Sequence, residues 1–142
     1  MKSERSSISA EILAEKVARG EDVTSIADAV TQAWQQADAM LTPLIGHRGV
    51  SALYQRSVHV AANSAPWLAP CYQGIQHEMH LDLLKQTLVQ QSSNDAAIAS
   101  TELFRIFHDL LASLIGSSLT ARLLLSVWTP SSSGASAQDS LP

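Results

Sequence analysis

The sequence predicts an all-α protein: a bundle of five or six helices over residues 1–128, followed by a disordered tail over 129–142. Apolar residues recur at the three- and four-residue spacing of a buried helix face. No stretch alternates apolar and polar residues between hairpin turn pairs, as strands do, and no segment repeats another at a solenoid period. With 142 residues, 46% of them hydrophobic, one domain can form a core without a disulfide or a metal.

The first two helices begin at residues that can cap them. Ser9 can accept first-turn backbone N–H groups of a helix over 10–19, with Ile8 and Leu13 as a hydrophobic staple, and Gly20 ends that helix. Asp22 can cap a second helix that extends to residue 44, and Pro43 is expected to kink or end it near the preceding residue. Its buried stripe comprises Val23, Ile26, Ala27, Val30, Trp34, Ala37, Leu41 and Leu44.

The middle of the chain predicts two more helices around an irregular segment. Gly46 and Gly49 precede a third helix at roughly 48–64. From 65 to 74 the two prolines disfavour helical backbone, so we expect a structured loop. A fourth helix is expected from about His77 to Gln91.

The fifth helix is the most apolar, and it begins near Asp95 or Ala96 and ends at 115. Together with helix 22–44 it is predicted to form the centre of the core. After Gly116, a serine pair can start a last helix that ends near Trp128. The remaining residues, TPSSSGASAQDSLP, are too polar to bury a core, which predicts the disordered tail.

Composition argues against several partners and locations. The net charge is -4 and no basic run could follow a phosphate backbone, so nucleic acid is not expected as a partner. Serine, glycine, threonine and arginine interrupt the apolar stretch from Leu110 to Trp128, so no membrane span is expected. The first twenty residues lack the apolar core of an export signal, and the single Cys71 fits a reducing compartment. We therefore expect a cytoplasmic protein.

His59 is the strongest candidate for chemistry. Its helical neighbours Gln55, Arg56 and Asn63 are polar, so the ring should face solvent, with a cation one turn before it and small residues after it. An accessible imidazole beside a cation could accept a phosphoryl group from an aspartyl phosphate. This layout resembles that of histidine phosphotransfer domains, although alanine and asparagine stand where that family carries a lysine and a glycine. His59 with Arg56 is therefore an alternative phosphoacceptor site.

The other histidines favour structural roles. His108-Asp109 resembles the pair that opens the dimerisation helix of one class of sensor kinases, but helical geometry predicts a partly buried histidine, with Asp109 pairing with Arg105. His77 and His80 lack further ligands at matching spacing, so no metal and no cofactor are predicted. Cys71 has no neighbouring cation and should behave as a small apolar residue.

Two regions favour binding over catalysis. Trp67, Leu68 and Tyr72 group apolar side chains on the irregular segment, which could be a lid over the core or an anchor for a partner. Leu111 and Ile115 lie on the fifth helix, whose apolar excess suggests a homodimer or simply more core. We expect a non-enzymatic regulatory or protein-interaction domain in bacterial-type signalling, with a receiver or kinase domain as a candidate partner. The alternatives are phosphotransfer by His59 and a small apolar ligand near Trp67 and Tyr72.

Overall fold

A computed structural model describes residues 9–74, 76–125 and 127 of the chain. Within these residues the structure is helical and contains no strand, so the predicted all-α class is confirmed. Three predictions lie outside the described residues: the hydrophobic staple at Ile8, the end of the last helix at Trp128, and the tail 129–142. The α-helices are α1 (Ala10–Ala18), α2 (Val23–Ala61), α3 (Leu81–Leu88), α4 (Ser93–Ile115) and α5 (Ser117–Leu124), with a 3-10 helix at Pro66–Cys71.

Side-chain caps fix the starts of three helices. Ser9 Oγ accepts the Ile12 N–H at 3.2 Å, and Asp22 Oδ1 accepts the Ser25 N–H at 3.2 Å, so both predicted caps are confirmed. Ser92 Oγ accepts from Asp95 N–H at 3.0 Å, and α4 therefore begins two residues earlier than expected.

A glycine divides α2 into two arms, 23–45 and 47–61. Gly46 has φ 82° and ψ 154°, which is not helical backbone. The rings of Trp34 and Tyr54 lie 5.1 Å apart between centroids, whereas twenty residues of continuous helix span about 30 Å. The second arm therefore folds back on the first. This break falls between the predicted helices 22–44 and 48–64, at the predicted Gly46. The kink expected at Pro43 is not found, because proline cannot adopt the positive φ that reverses the chain and glycine can.

The second half of the chain repeats this arrangement 70 positions later. The cap at Asp22 corresponds to the cap at Ser92, and Gly46 corresponds to Gly116, which has φ 97° and ψ 149°. After Gly116, α5 packs back against α4 as the second arm of α2 packs against the first. Each half is thus a short helix, a capped long helix, a glycine elbow and a returning helix. The sequence before the elbows matches as Leu41, Leu44 and Ile45 against Leu111, Leu114 and Ile115.

The two halves exchange their short helices around a pseudo-two-fold axis. The short helix of each half packs on the long helix of the other, α1 on α4 and α3 on α2, while α2 and α4 pack against each other in the centre. Trp34 stacks on Phe104 with centroids 4.3 Å apart and planes 13° apart. These two residues occupy equivalent positions in the halves, and a residue that meets its own counterpart lies at a two-fold axis.

The core follows the predicted stripes, with Val30 and Trp34 fully buried and Gln32 and Gln35 exposed. Leu44 is the exception: it was predicted in the buried stripe but is 49% exposed, since it lies next to the Gly46 elbow where the first arm ends. α3 covers Leu81–Leu88 rather than the predicted 77–91, because the residues before Leu81 belong to the segment that crosses between the halves. Across the described residues, no helix combines the length and the apolar character that crossing a bilayer requires.

Candidate functional site

His59 lies on the exposed side of the second arm of α2, as predicted, and Arg56 is exposed one turn before it. Its ring packs against Tyr72, with centroids 4.7 Å apart and planes inclined by 48°. The structure therefore brings together a candidate phosphoacceptor and a candidate partner-binding residue, a contact that the sequence did not predict. Tyr72 orients the imidazole from one side and leaves the ring in contact with solvent.

Gln55 holds the crossing segment that carries Tyr72 against α2. Its side chain is fully buried, with Nε2 donating to the Glu78 carbonyl and Oε1 accepting the Gln73 N–H, both at 2.9 Å. One amide thus satisfies two backbone groups of the segment, on either side of Gly74. The expectation that Gln55 is an exposed neighbour of His59 is therefore wrong, and no local pattern distinguishes this glutamine from an exposed one.

Leu68 and Cys71 fix the 3-10 helix to the core rather than to a partner. Leu68 is 1% exposed, so the prediction that it contributes to a partner-binding surface is corrected. Cys71 Sγ contacts Thr87 Oγ1 at 3.4 Å, and burial raises the pKa of the thiol above its usual value. The interpretation of Cys71 as a small apolar residue agrees with this position.

The fifth predicted helix, α4, buries only part of its apolar excess within the chain. Leu111 is fully buried, so it belongs to the core and not to the surface that could bind a second copy. Ile115 is half-buried beside the Gly116 elbow. Leu114, which the sequence did not single out, is 62% exposed. Of the two predicted dimer residues, only Ile115 keeps accessible surface.

An apolar surface centres instead on Ile98, in the first half of α4. Ile98 is 61% exposed and separates two clefts of about 410 and 320 Å³. The larger cleft reaches Trp67 and Ala61, and the smaller one reaches Ala14 of α1. We call Ile98 with the residues of both clefts the Ile98 surface; the others are Ser64, Ala65, Asp95, Ala99, Glu102, Asn94, Ala97 and Thr101.

Carboxylates border the Ile98 surface. Asp95 lies one turn before Ile98 and is exposed, while Glu102 lies one turn after it and pairs with Arg105 at 2.5 Å. In the other half of the fold, the position equivalent to Ile98 holds Asp28, which forms an ion pair with Lys85 of α3. A charged residue therefore suits this position, and the isoleucine is not required by the repeat.

The other candidate residues of the sequence analysis lie outside the Ile98 surface. Arg105 pairs with Asp109 at 3.2 Å, which confirms the predicted contact, and His108 is partly buried as expected. His77 and His80 are exposed near the start of α3. Within residues 9–74, 76–125 and 127, no group of three histidine, cysteine or acidic side chains could hold a metal ion.

No protein-family model, curated protein or solved structure matches the chain. The candidate sites are therefore defined by the geometry of this chain alone.

Proposed function

We propose that the protein is a non-enzymatic, cytoplasmic interaction domain of bacterial-type signalling, whose Ile98 surface binds a basic amphipathic helix of a protein partner. The observation that carries the proposal is Ile98 itself, a large apolar side chain exposed between two clefts. Burying the exposed part of such a side chain contributes about 1–2 kcal/mol to an interface. Grooves on both sides of an apolar anchor are the geometry that receives side chains at helical spacing.

The acidic side chains that border the Ile98 surface favour a basic partner. Asp95 and Glu102 lie at i−3 and i+4 from Ile98, so both carboxylates project along the same side of α4 as the isoleucine. Lysine or arginine on a partner helix could pair with Asp95, and with Glu102 beside or in place of Arg105, while leucines fill the clefts. A second copy of this chain, related by a two-fold axis, would bring the same acidic border against itself, which disfavours the predicted homodimer at this surface.

The test uses model peptides of defined chemistry. We expect an amphipathic peptide of leucine and lysine to shift the Trp67 indole resonance in NMR spectra, and its leucine and glutamate counterpart to leave that resonance unchanged. Ile98→Lys should weaken binding of the lysine peptide by at least tenfold, because it removes the anchor and adds repulsion. Ile98 is exposed, so this variant should keep the unfolding temperature of the wild type.

Leu44→Lys is the matched control, since Leu44 is 49% exposed and lies away from both clefts. Equal binding of both peptides, or equal loss in the two variants, would contradict a specific basic partner. Light scattering of the free protein tests whether the Ile98 surface binds a second copy of the chain instead of a partner helix. A dimer that Ile98→Lys dissociates would replace the proposed partner with a second copy.

A second candidate function is phosphotransfer by His59, for which the exposed ring and the nearby exposed Arg56 are the specific observations. Incubation with a phosphorylated receiver domain should place an acid-labile label on the wild type and none on His59→Gln. His108→Gln is the control, because His108 is partly buried and should not affect labelling. Absence of label on the wild type, or loss of label in the control alone, would exclude His59.

The third interpretation, a small apolar ligand between Trp67 and Tyr72, has weaker support. The cleft of the Ile98 surface includes Trp67, but Tyr72 is not among its residues and packs on His59. The cleft is also open and bordered by carboxylates, which suits a peptide better than a small apolar molecule.

A further inference from the structure

A third cleft, of about 580 Å³, lies beside the Gly46 elbow and belongs to neither surface described above. It is formed where the start of the second arm of α2 meets the crossing segment. Its volume is within the range of small-molecule sites. The lining residues are His47, Arg48, Ser51, Ala52, Gln76, His77 and Glu78.

Donor groups dominate this cleft. Because Gly46 interrupts α2, the second arm begins as a new helix, and the first turn of a helix presents backbone N–H groups and a partial positive charge. His47 and Arg48 occupy that first turn, where the positive charge of Arg48 is unfavourable unless an anion is nearby. The exposed guanidinium of Arg48 has no ion pair within the described part of the chain.

Ser51 supplies an independent sign of a ligand. The residue is 4% exposed, lines the cleft, and its Oγ has no hydrogen-bond partner in the structure. A buried hydroxyl left unpaired is unfavourable by about 1–3 kcal/mol, and an anion in the cleft could accept its hydrogen bond. Ser51 lies one turn after His47, at the base of the same helix start.

Two carboxylates also face this site. Asp38 Oδ1 lies 3.3 Å from His47 Nδ1, and Glu78 Oε1 lies 4.0 Å from His47 Nε2. Asp38 orients the imidazole from the side of the first arm. The Glu78 side chain is 77% exposed, so it can turn into solvent when an anion enters.

The Gly116 elbow provides an internal comparison. It has nearly the same backbone angles, but Ser117 and Ser118 stand where His47 and Arg48 stand in the first half. The His47-Arg48 pair is therefore particular to the Gly46 elbow and is not required by the turn. We propose that the cleft beside Gly46 binds a small phosphate-bearing molecule, with Arg48, His77 and the Ser51 hydroxyl as side-chain donors.

Calorimetric titration of the full chain with inorganic phosphate and with a nucleoside monophosphate, at constant ionic strength, tests the proposal. We expect a Kd of about 1 mM or below for at least one of them. Tighter binding of the nucleotide would assign the cleft to phosphomonoesters, and tighter binding of phosphate would assign it to the free ion.

Arg48→Ala should weaken binding by about tenfold, the usual effect of losing a charge-assisted hydrogen bond. Ser51→Ala should weaken binding about threefold or more without lowering the unfolding temperature, because the hydroxyl it removes has no partner in the free protein. Arg122→Ala removes the same charge from α5, near the other elbow, and should leave binding unchanged. Binding of neither compound by the wild type, or equal loss in the Arg48 and Arg122 variants, would overturn the proposal.

Discussion

Alanine substitution of the elbow glycines tests the fold at its most specific feature. At Gly46 and Gly116 the backbone has φ of 82° and 97°, with ψ near 150° in both. Residues with a side chain rarely adopt these angles, and forcing them to do so costs about 1–3 kcal/mol. An added Cβ would meet nothing within 4 Å at either glycine, so the expected loss comes from the backbone alone.

The sign of the stability change in Gly46→Ala distinguishes between two possible structures of α2, a continuous helix and a helix with an elbow. If residues 23–61 formed one continuous helix, Gly46→Ala would stabilise the protein by about 1 kcal/mol, because alanine is the better helix former. With the elbow, the same substitution should destabilise the protein by about 1–3 kcal/mol, and Gly116→Ala should do the same. Each change should lower the urea midpoint by roughly 1 M.

Urea unfolding followed by circular dichroism at 222 nm gives the measurement. Gly49→Ala is the control, since Gly49 is helical and its added Cβ would lie 3.3 Å from Ile45 side-chain atoms. Better helix propensity and this tight contact oppose each other, so a change within about 1 kcal/mol is expected. A stabilising Gly46→Ala would refute the elbow and, with it, the separate helix start beside the phosphate cleft.

Three further predictions concern single polar groups. Tyr54→Phe should raise stability by about 1 kcal/mol in thermal unfolding, because the Tyr54 hydroxyl is buried without a partner; a loss of that size would show that the hydroxyl is bonded. Gln55→Leu should cost about 2 kcal/mol and speed hydrogen exchange of the Gln73 amide, since it deletes both bonds to the crossing segment; unchanged exchange would contradict this role. The Arg19 and Ser25 side chains lower the pKa of Glu21 to about 2, from 4.5, so its contribution to stability is present above 4.5 and is lost as pH falls toward 2. Glu21→Gln should therefore flatten the loss of stability across this acid range, and an unchanged acid profile would count against the pairing.

Helix existence could be predicted from the sequence because it depends on local patterns. The stripe around Trp34 and the caps at Ser9 and Asp22 are read from residues three and four positions apart. The separation of two helices around Gly46 also follows from local signals, but the kink that Pro43 predicts does not occur, since the reversal depends on the positive φ of Gly46. The start of α3 was missed for a similar reason, because the crossing segment is held by Gln55, which lies more than twenty residues away.

The repeat and the Ile98 surface required coordinates. The matching residues before Gly46 and Gly116 are few, and a single recurrence at 70 positions is not a solenoid period. Ile98 appeared in the sequence as one of many apolar residues on α4, and only packing shows which of them remain exposed. Leu111 is the opposite case, since its apolar neighbourhood predicted an interface and the other half of the chain buries it.

The exchange of short helices between the halves has a consequence for synthesis. α1 leaves the ribosome well before the helix on which it packs, which is encoded some eighty residues later. Until α4 emerges, the apolar side of α1 has no native surface to cover it, and contacts that close such long loops form late. Native packing of α1 is thus expected to await synthesis of α4, with the apolar side of α1 exposed to chaperones in the meantime.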